Sequence, residues 1–354
     1  MKVLFDHSIF LHQNYGGISN YIFNLNKNLK KCGIKSKIFA PIIINNYLIN
    51  HPDIIFFIKL KKIPKLCKTF FFTLNNLLTI IFYFIYKPDF IHLSYYNKFY
   101  KFFGIPYVVT VYDLIHEKYK RDTQGFNKKH VLEGAKKILC ISNCTKKKLL
   151  RIYKTKKKIT VTHLGHNFIN NKFLEKKKIK KIILYVGNRS NYKNFKILIQ
   201  AYEKSKYLKK NYKIIAFGGP KFSKSEMQIF KDKKIDANIL HKHGDKEFLF
   251  DLYTTSELFV YTSLEEGFGI PILEAMSAGC PILCSNIDVF NEIAEKSVLY
   301  FNPKSKQDLK IKLEKILKSS MIKNNLRNKG LKQVKKYSWK NCAIQTASVY
   351  REKI

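Results

Sequence analysis

Short apolar runs alternate with longer amphipathic stretches along most of this chain, and that alternation limits the possible folds more than any other feature. Apolar runs that end near Gly, Ser or Asp are typical of strands buried on both faces of a parallel sheet. The amphipathic stretches have the spacing of crossover helices, and the first of them ends at Gly33. The sequence therefore predicts an α/β protein built from doubly wound parallel sheets.

The alternation occurs twice, with a change of composition between the two occurrences. Residues 167–181 are rich in Asn and Lys and lack apolar periodicity, which is typical of a linker. We predict an N-terminal domain over 1–166 and a C-terminal domain over 167–338, with a final helix at about 339–354 that packs back on the first domain. The strands are predicted at 3–6, 34–40, 90–94, 107–113, 138–142 and 159–164, and then at 182–187, 213–218, 238–241, 258–262, 281–285 and 298–301.

Charge and composition exclude several classes of protein. The chain has 354 residues, of which 46% are hydrophobic, which is enough for two ordinary cores. It carries a net charge of +41, but the basic residues are dispersed in pairs and triplets, so we expect no specific nucleic-acid partner. An anionic membrane face or an anionic ligand is compatible with this charge. The seven cysteines are an odd number, which indicates reduced thiols and a cytoplasmic location.

The segment 69–86 is apolar enough to raise the question of whether it contacts or spans a membrane. Asn75 and Asn76 lie near its middle, and a spanning helix would leave their amides in hydrocarbon. We therefore predict a packed helix or a helix on the membrane surface, and the sequence does not decide between these two. The first residues lack the pattern of a signal peptide and predict a strand. If the protein touches a membrane, we expect peripheral contact with the anionic inner face of the cell membrane.

The richest candidate site is the stretch that contains Glu266 and Glu274, eight residues apart. Pro271 suits the first turn of a helix and Gly279 its end, so Glu266 lies in the loop before the helix and Glu274 in its first turns. Two carboxylates would repel an anion, so we expect them to accept hydrogen bonds from hydroxyl groups. Amides at the helix start that can receive an anion are those of Gly267, Phe268, Gly269 and Ile270.

Cations and glycines elsewhere complete a site for a polyol that carries phosphate. Arg189 and Lys193 are four residues apart at a strand-to-helix turn, where both can converge on one diphosphate. Gly16 and Gly17 lie between the first strand and the first helix and allow a phosphate or sugar to approach the backbone, although a plain turn would also use them. These residue types at the carboxyl edge of a parallel sheet indicate a polyol ligand that carries phosphate, such as a nucleotide sugar.

Several motifs, in order along the chain, resemble one known family. The stretch from Glu266 to Glu274, followed by Ala-Met-Ser-Ala-Gly-Cys-Pro-Ile, resembles the paired-glutamate motif of the retaining glycosyltransferases of family four, the glycosyl transferases group one. Residues 15–19 resemble the glycine loop of the family's first domain, residues 185–194 its phosphate-contacting segment, and Trp339 with the last helix its closing crossover. The resemblance implies the GT-B fold, with two Rossmann-like domains facing a central cleft.

The resemblance also implies an activity. It implies transfer of a hexose from a nucleoside diphosphate sugar, GDP-mannose or a UDP-sugar, to a hydroxyl of a glycan or lipid-linked acceptor, with retention of configuration. The expected setting is cell-surface polysaccharide or lipopolysaccharide biosynthesis. In this assignment Glu266 contacts the donor sugar, Glu274 the ribose and Lys193 the diphosphate, with Arg189 as a further catalytic residue. Gly218 would face the nucleotide and His243 would border the base.

The sequence departs from the family at two positions. Gly187 is followed by Asn188 where the family commonly has an arginine, which makes the role of Arg189 less direct. Tyr112 and Asp113 stand where the first domain often has His-Asp; they remain candidates for acceptor or sugar contact, but a phenol is not a cation near neutral pH.

We expect no metal and no cofactor, because no Asp-x-Asp motif stands at a strand end in a phosphate context and the nucleotide sugar is a co-substrate. Two alternatives stay open from sequence. One is a nucleotide-sugar epimerase or phosphorylase on the same fold. The other is a non-enzymatic polyanion-binding protein, which would leave the paired glutamates unexplained.

Overall fold

The computed structural model describes residues 1–48, 52–118, 128–166, 180–189 and 191–352. The predicted linker at 167–181 therefore lies almost entirely outside the described residues. The chain divides into two compact units, the first formed by 1–165 with 338–354 and the second by 166–337.

Unit 1 is built on a parallel sheet of seven strands. Counted along the chain within this sheet, the spatial order is 3-2-1-4-5-6-7, the doubly wound arrangement. The sheet strands are β1 (Lys2–Phe5), β2 (Lys35–Phe39), β4 (Ile54–Ile55), β6 (Phe90–Leu93), β7 (Tyr107–Val111), β8 (Lys137–Cys140) and β9 (Ile159–Val161), while β3 (Ile42–Ile43) pairs with β5 (Ile58–Lys59). The helices before the second unit are α1 (Gly17–Leu29), α2 (Lys68–Tyr86), α3 (Phe99–Phe102), α4 (Ile115–Lys118), α5 (Lys128–Gly134) and α6 (Asn143–Tyr153).

Unit 2 has a parallel sheet of six strands in the order 3-2-1-4-5-6, the order of dinucleotide-binding folds. Its strands are β10 (Lys180–Val186), β11 (Lys213–Phe217), β12 (Ile239–Lys242), β13 (Ser256–Tyr261), β14 (Ile282–Ser285) and β15 (Leu299–Phe301). Its helices are α7 (Phe195–Glu203), α8 (Lys206–Asn211), α9 (Lys224–Asp232), α10 (Lys246–Thr255), α11 (Ile270–Ser277), α12 (Asp288–Ala294), α13 (Lys306–Lys318) and α14 (Ser320–Gln333).

All twelve strands predicted from apolar runs are present within a few residues of their expected bounds. Strands β3, β4 and β5 were missed because two residues are too few to form a pattern. The strand predictions agree with the structure because these strands are buried on both faces and are therefore continuously apolar. All five residues of β7, for example, are buried.

The last helix, α15 (Trp339–Arg351), belongs to unit 1. Ser338 caps it by accepting a hydrogen bond from the amide of Asn341 at 3.0 Å. The helix packs against α1 and the sheet, and the hydroxyl of Tyr350 lies within hydrogen-bond distance of His92 Nδ1. Gly165 allows the close approach at its start, because a Cβ there would lie 2.2 Å from the backbone nitrogen of Trp339.

Helix α2 covers the apolar segment expected at 69–86, and its middle is bonded to unit 1. Asn75 accepts from the Ile42 amide at 3.0 Å and donates to the Ile42 carbonyl at 2.9 Å. Asn76 accepts a hydrogen bond from Asn97 at 2.8 Å. Within the described residues α2 is the helix whose length and mean hydropathy of 1.5 would suffice to cross a membrane, but only 17% of it is buried. The two amides are therefore bonded inside unit 1, while five large apolar side chains of α2 are exposed: Phe70, Leu77, Ile81, Phe84 and Ile85.

Candidate functional site

The candidate site lies at the switch point of the unit 2 sheet. The chain moves outward in one direction from β10 through β11 and in the other from β13 through β14, so β10 and β13 are neighbours. Loops that leave the carboxyl ends of such a pair diverge and create a crevice for ligands. Lys193 follows β10 and Glu266 follows β13, which brings the two residues to the same edge.

Glu266 is held by three donors through a single oxygen. Its Oε1 accepts from Lys193 Nζ at 2.6 Å, from the Tyr261 hydroxyl at 2.7 Å and from the Ser263 hydroxyl at 2.7 Å. The side chain is 11% exposed, so the carboxylate is close to the surface without being freely solvated. Among the described residues no donor reaches Oε2. Oε1 thus fixes the carboxylate.

The loop that carries Lys193 is joined to the loop after β13. The carbonyl of Tyr192 accepts from the Leu264 amide at 2.7 Å, and that of Lys193 accepts from the Thr262 hydroxyl at 2.8 Å. The ammonium group lies 5.3 Å from the centre of the Tyr192 ring and 5.6 Å from that of Tyr261. These contacts fix the cation beside the carboxylate, which reduces the reorganisation needed when charge develops on a ligand.

Desolvation keeps the neighbouring phenol neutral. Burial, followed by the charge of Glu266, raises the pKa of Tyr261 well above its ordinary value. A neutral phenol remains a hydrogen-bond donor to the carboxylate at any physiological pH. The Lys193 and Glu266 pair is therefore supported by hydroxyl groups that offset part of the cost of partial burial.

Glu274 lies in α11, one turn beyond the loop that carries Glu266. Burial raises the pKa of Glu274 to about 7, although the hydrogen bond from Tyr253 and the charge of Lys246 both act to lower it. The Tyr253 hydroxyl lies 3.3 Å from Glu274 Oε2. No direct contact joins Glu266 to Glu274 in the described part of the chain. Packed aromatic rings connect the surroundings of the two residues. The ring centroids of Tyr253 and Phe259 are 5.4 Å apart, and those of Phe259 and Tyr261 are 5.6 Å apart.

The start of α11 has the backbone that the sequence predicts. Gly269 caps the helix with φ +110°, a left-handed conformation that favours glycine, and Pro271 lies in the first turn. Gly279 ends the helix region with φ +66°. Phe268 is buried and its ring lies 6.0 Å from that of Tyr337. Anion binding by the amides from Gly267 to Ile270 stays a prediction.

Arg189 is directed away from Lys193, which corrects the expectation that both cations converge on one diphosphate. Its Nε donates to Glu226 at 2.8 Å and its Nη2 donates to the Pro220 carbonyl at 2.7 Å. The guanidinium group also lies over the Phe222 ring at 4.6 Å. Burial raises the pKa of Glu226, but the bonds from Arg189 and Ser223 outweigh it and hold that pKa below its usual value. The contacts indicate that Arg189 ties the loop after β10 to the loop after β11, and a catalytic role stays a prediction.

The remaining nucleotide candidates lie at the edge formed by β11 and β12. Gly218 and Gly219 have φ of +81° and +67°, so the turn itself requires glycine. The amide of Gly218 donates to the Lys242 carbonyl at 2.9 Å, and the Gly218 carbonyl lies 3.2 Å from His241 Nε2. His243 is exposed just beyond this edge, with its ring 6.3 Å from that of His241. Roles for Gly218 and His243 in nucleotide binding stay predictions.

The glycines of unit 1 give little support for a ligand. Gly16 caps α1 in an extended conformation, and a Cβ there would meet the flexible end of Gln13. A Cβ on Gly17 would meet open space. Backbone strain therefore explains neither glycine, and their expected donor contact stays a prediction.

Tyr112 and Asp113 are engaged within unit 1. The Tyr112 hydroxyl is buried and donates to the Ser94 carbonyl at 3.1 Å, so it is not positioned to donate to an acceptor. Asp113 Oδ1 accepts from the Ile115 amide at 3.1 Å. His92 is a core residue with Thr110 Oγ1 2.8 Å from its Nε2. Sequence reasoning missed Tyr261 and Ser263; the hydroxyl-bearing stretch just before the acidic pair was the available signal.

No group of three or more His, Cys, Asp or Glu side chains suited to a metal ion occurs among the residues that the structure describes. Two doubly wound parallel sheets, one in each unit, form the architecture of the GT-B fold.

Comparisons with known proteins identify the family. Residues 15–168 match the model described as Glycosyltransferase Family 4, and residues 167–333 match the model described as Glycosyl transferases group 1. The two models together match most of the chain, and the protein belongs to this family of glycosyltransferases.

Two curated relatives and one solved structure illustrate the similarity. The O-antigen chain mannosyltransferase B of Escherichia coli is 30% identical over 171 residues, 48% of this chain and 45% of the relative. The O-antigen chain mannosyltransferase RfbU of Salmonella typhimurium is 30% identical over 176 residues, 49% of this chain and 48% of the relative. The chain thus matches about half the length of these relatives. The structure of HepE from Anabaena with UDP and glucose has a TM-score of 0.76 at 13% identity, covering 99% of both chains.

Proposed function

We propose that this protein is a retaining glycosyltransferase that moves a hexose from a nucleoside diphosphate sugar to a hydroxyl of a glycan or lipid-linked acceptor. The observation that carries the proposal is the contact between Lys193 and Glu266, 2.6 Å apart at the switch point of unit 2. One group suits a diphosphate and the other suits sugar hydroxyls. The names of the two O-antigen mannosyltransferases support a place in cell-surface polysaccharide or lipopolysaccharide synthesis.

The pair suggests how the site accepts its donor. The Lys193 ammonium neutralises Glu266. An entering diphosphate offers Lys193 a partner of higher charge, and Glu266 then turns its acceptor capacity to sugar hydroxyls while Tyr261 and Ser263 continue to hold Oε1. In this proposal donor binding exchanges one charge partner of Lys193 for another.

The reaction follows from these charges. The bond between the anomeric carbon and the diphosphate oxygen breaks, a bond to the acceptor oxygen forms, and the departing diphosphate takes the acceptor proton. Negative charge grows on the leaving group, so Lys193 stabilises the transition state more than the ground state. This cation acts where a divalent metal would otherwise act, and we propose a metal-independent reaction with no cofactor besides the nucleotide sugar.

The ribose is assigned to Glu274. Its carboxyl group lies in α11, with a pKa raised by burial to about 7, so near neutral pH the ionised form is readily available. An ionised carboxyl accepts two hydrogen bonds from a vicinal diol, the group that a ribose presents. The mannosyltransferase relatives favour GDP-mannose as the donor, while the HepE structure with UDP and glucose supports a UDP-sugar.

The proposed location is the cytoplasm, peripheral on the inner face of the cell membrane. Nucleotide sugars and a lipid-linked acceptor would meet there, and the net charge of +41 favours an anionic surface.

A binding and product assay tests the function. A thermal-shift panel of nucleoside diphosphates and their sugars should give one ligand that raises the melting temperature, because a ligand that binds only the folded state stabilises it. That donor, incubated with a hydroxyl acceptor, should yield a glycoside of unchanged anomeric configuration by NMR. Conversion of the donor alone to another nucleotide sugar would indicate an epimerase, and phosphate-dependent release a phosphorylase. Absence of any nucleotide-dependent shift would refute the proposal.

A further inference from the structure

Helix α2 buries polar side chains completely, while its apolar side chains are either half-buried against the core of unit 1, as Phe82 is, or exposed. Its buried residues are Asn75, Asn76 and Thr79, and all three are hydrogen-bonded inside unit 1. A helix on a soluble domain ordinarily buries its apolar stripe. The exposed stripe follows helical spacing instead and consists of Phe70, Thr73, Leu77, Ile81, Phe84 and Ile85.

The exposed apolar surface continues beyond α2. Phe57 and Ile58, beside and within β5, are 64% and 50% exposed. They adjoin the helix because β5 pairs with β3, and the side-chain amide of Asn75 in α2 bonds to both the N–H and the carbonyl of Ile42 in β3. Phe102 and Phe103, at the end of α3, are also exposed. Exposed apolar surface of this kind marks a contact site for a membrane or a protein.

The charges near this surface indicate which kind of partner it binds. From residue 54 to residue 88 the chain has six lysines and no Asp or Glu. The acids that flank this range are engaged: Asp53 pairs with Lys30 at 2.6 Å, and Asp89 accepts from the Lys2 amide at 2.6 Å. A cationic rim around an apolar face suits anionic headgroups above acyl chains. A second copy of this strongly positive chain would instead bring like charges together.

We propose that α2, with Phe57, Ile58, Phe102 and Phe103, is an in-plane anchor that inserts its apolar face into the surface of an anionic phospholipid bilayer. The anchor is distinct from a spanning helix, since crossing the bilayer would break the bonds of Asn75 and Asn76 to unit 1. This inference rests on the proposed function for its purpose, because it would hold unit 1 where a lipid-linked acceptor resides.

Vesicle sedimentation tests the anchor. Wild-type protein should sediment with phosphatidylglycerol and phosphatidylcholine vesicles in proportion to their anionic fraction. The double change Phe84→Ser with Ile85→Ser should reduce the bound fraction at least tenfold, and Lys61→Gln with Lys62→Gln should reduce it less and mainly at low salt. Matched controls on unit 2, Ile311→Ser with Met321→Ser and Lys329→Gln with Lys332→Gln, should bind as wild type. Phe84 and Ile85 are exposed, so the melting temperature should not change.

Insertion depth provides a second readout that does not depend on binding alone. The indole introduced by Phe84→Trp should be quenched by brominated acyl chains, while the one introduced by Ile311→Trp should not. Wild-type protein that ignores anionic vesicles, or a Phe84 and Ile85 variant that binds undiminished, would overturn the proposal. So would resistance to alkaline carbonate extraction, which indicates a spanning helix, or a dimer that the variant dissociates without any vesicle binding.

The nucleotide panel keeps the two proposals separable. The anchor variants should retain the nucleotide-dependent rise in melting temperature, because they lie in unit 1 and the donor residues lie in unit 2. If the protein binds vesicles but no nucleotide, the anchor proposal stands and the glycosyltransferase proposal is refuted. Nucleotide binding without vesicle binding would do the reverse.

Discussion

The ammonium group of Lys193 lies 2.6 Å from Glu266 Oε1, and the two residues come from loops that follow neighbouring strands of unit 2. Each group is therefore the other's counterion. Removing either one leaves a partly buried charge without its partner, so the effects on stability and on catalysis must be measured separately.

Lys193→Ala should lower kcat by roughly a hundredfold or more, because the leaving diphosphate loses its fixed cation. Glu266→Gln should also reduce turnover, while the amide still accepts from Tyr261. Initial rates at saturating donor measure both. The matched controls are Lys196→Ala and Glu247→Gln, which alter exposed residues of unit 2 and should leave rates unchanged. Wild-type turnover in Lys193→Ala would remove the basis of the assignment.

Glu274 should make donor binding depend on pH. With a pKa of about 7 the carboxyl group is ionised above that pH and protonated below it. If it accepts from the ribose diol, affinity for the nucleoside diphosphate should fall as the pH is lowered from 8 to 6. Calorimetric titration at three pH values measures this. In Glu274→Gln the affinity should be weaker at pH 8 and nearly independent of pH; an unchanged pH profile would contradict the assignment.

The same group should affect stability with the opposite sign. Burial raises its pKa from 4.5 to about 7, so the folded state binds the proton more tightly than the unfolded state. Its contribution is present at low pH and is lost as pH rises from about 4.5 through 7, by at most about 3 kcal/mol. Other groups titrate in this range in both proteins, so the difference between wild type and Glu274→Gln in thermal denaturation isolates Glu274. A difference that does not change with pH would argue against a raised pKa.

Arg189→Lys distinguishes a structural arginine from a catalytic one. Lysine cannot reproduce the fork that reaches Glu226 and the Pro220 carbonyl together. We expect a loss of about 1–3 kcal/mol in the free energy of unfolding, with kcat reduced little at saturating donor. Chemical denaturation and initial rates together measure this. A large fall in kcat at unchanged stability would instead support direct contact with the diphosphate.

Gly165→Ala should destabilise unit 1. The new Cβ would lie 2.2 Å from the backbone nitrogen of Trp339, so α15 must shift, at a cost of about 1–3 kcal/mol. Gly17→Ala is the control, since its Cβ meets open space and alanine favours a helix. Thermal denaturation of both variants gives the comparison. Equal melting temperatures would contradict the close approach.

The sequence predicts those features that local chemistry determines. Strands buried on both faces must be continuously apolar, and Gly269 and Gly279 mark the limits of α11 because their φ values suit glycine. The direction of Arg189 could not be predicted, because four-residue spacing at a turn does not say which loop a long side chain meets. The support of Glu266 by Tyr261 likewise depends on packing between two loops.

The return of α15 to unit 1 sets an order on biosynthesis. A ribosome completes every residue of unit 2 before it adds the helix whose Tyr350 contacts His92. The second unit can therefore fold while the first still lacks the helix that covers part of its core. A nascent chain interrupted before Trp339 would carry a complete second unit and an incomplete first unit, in which His92 lacks Tyr350 and Tyr21 lacks the Trp339 ring that packs 6.2 Å from it.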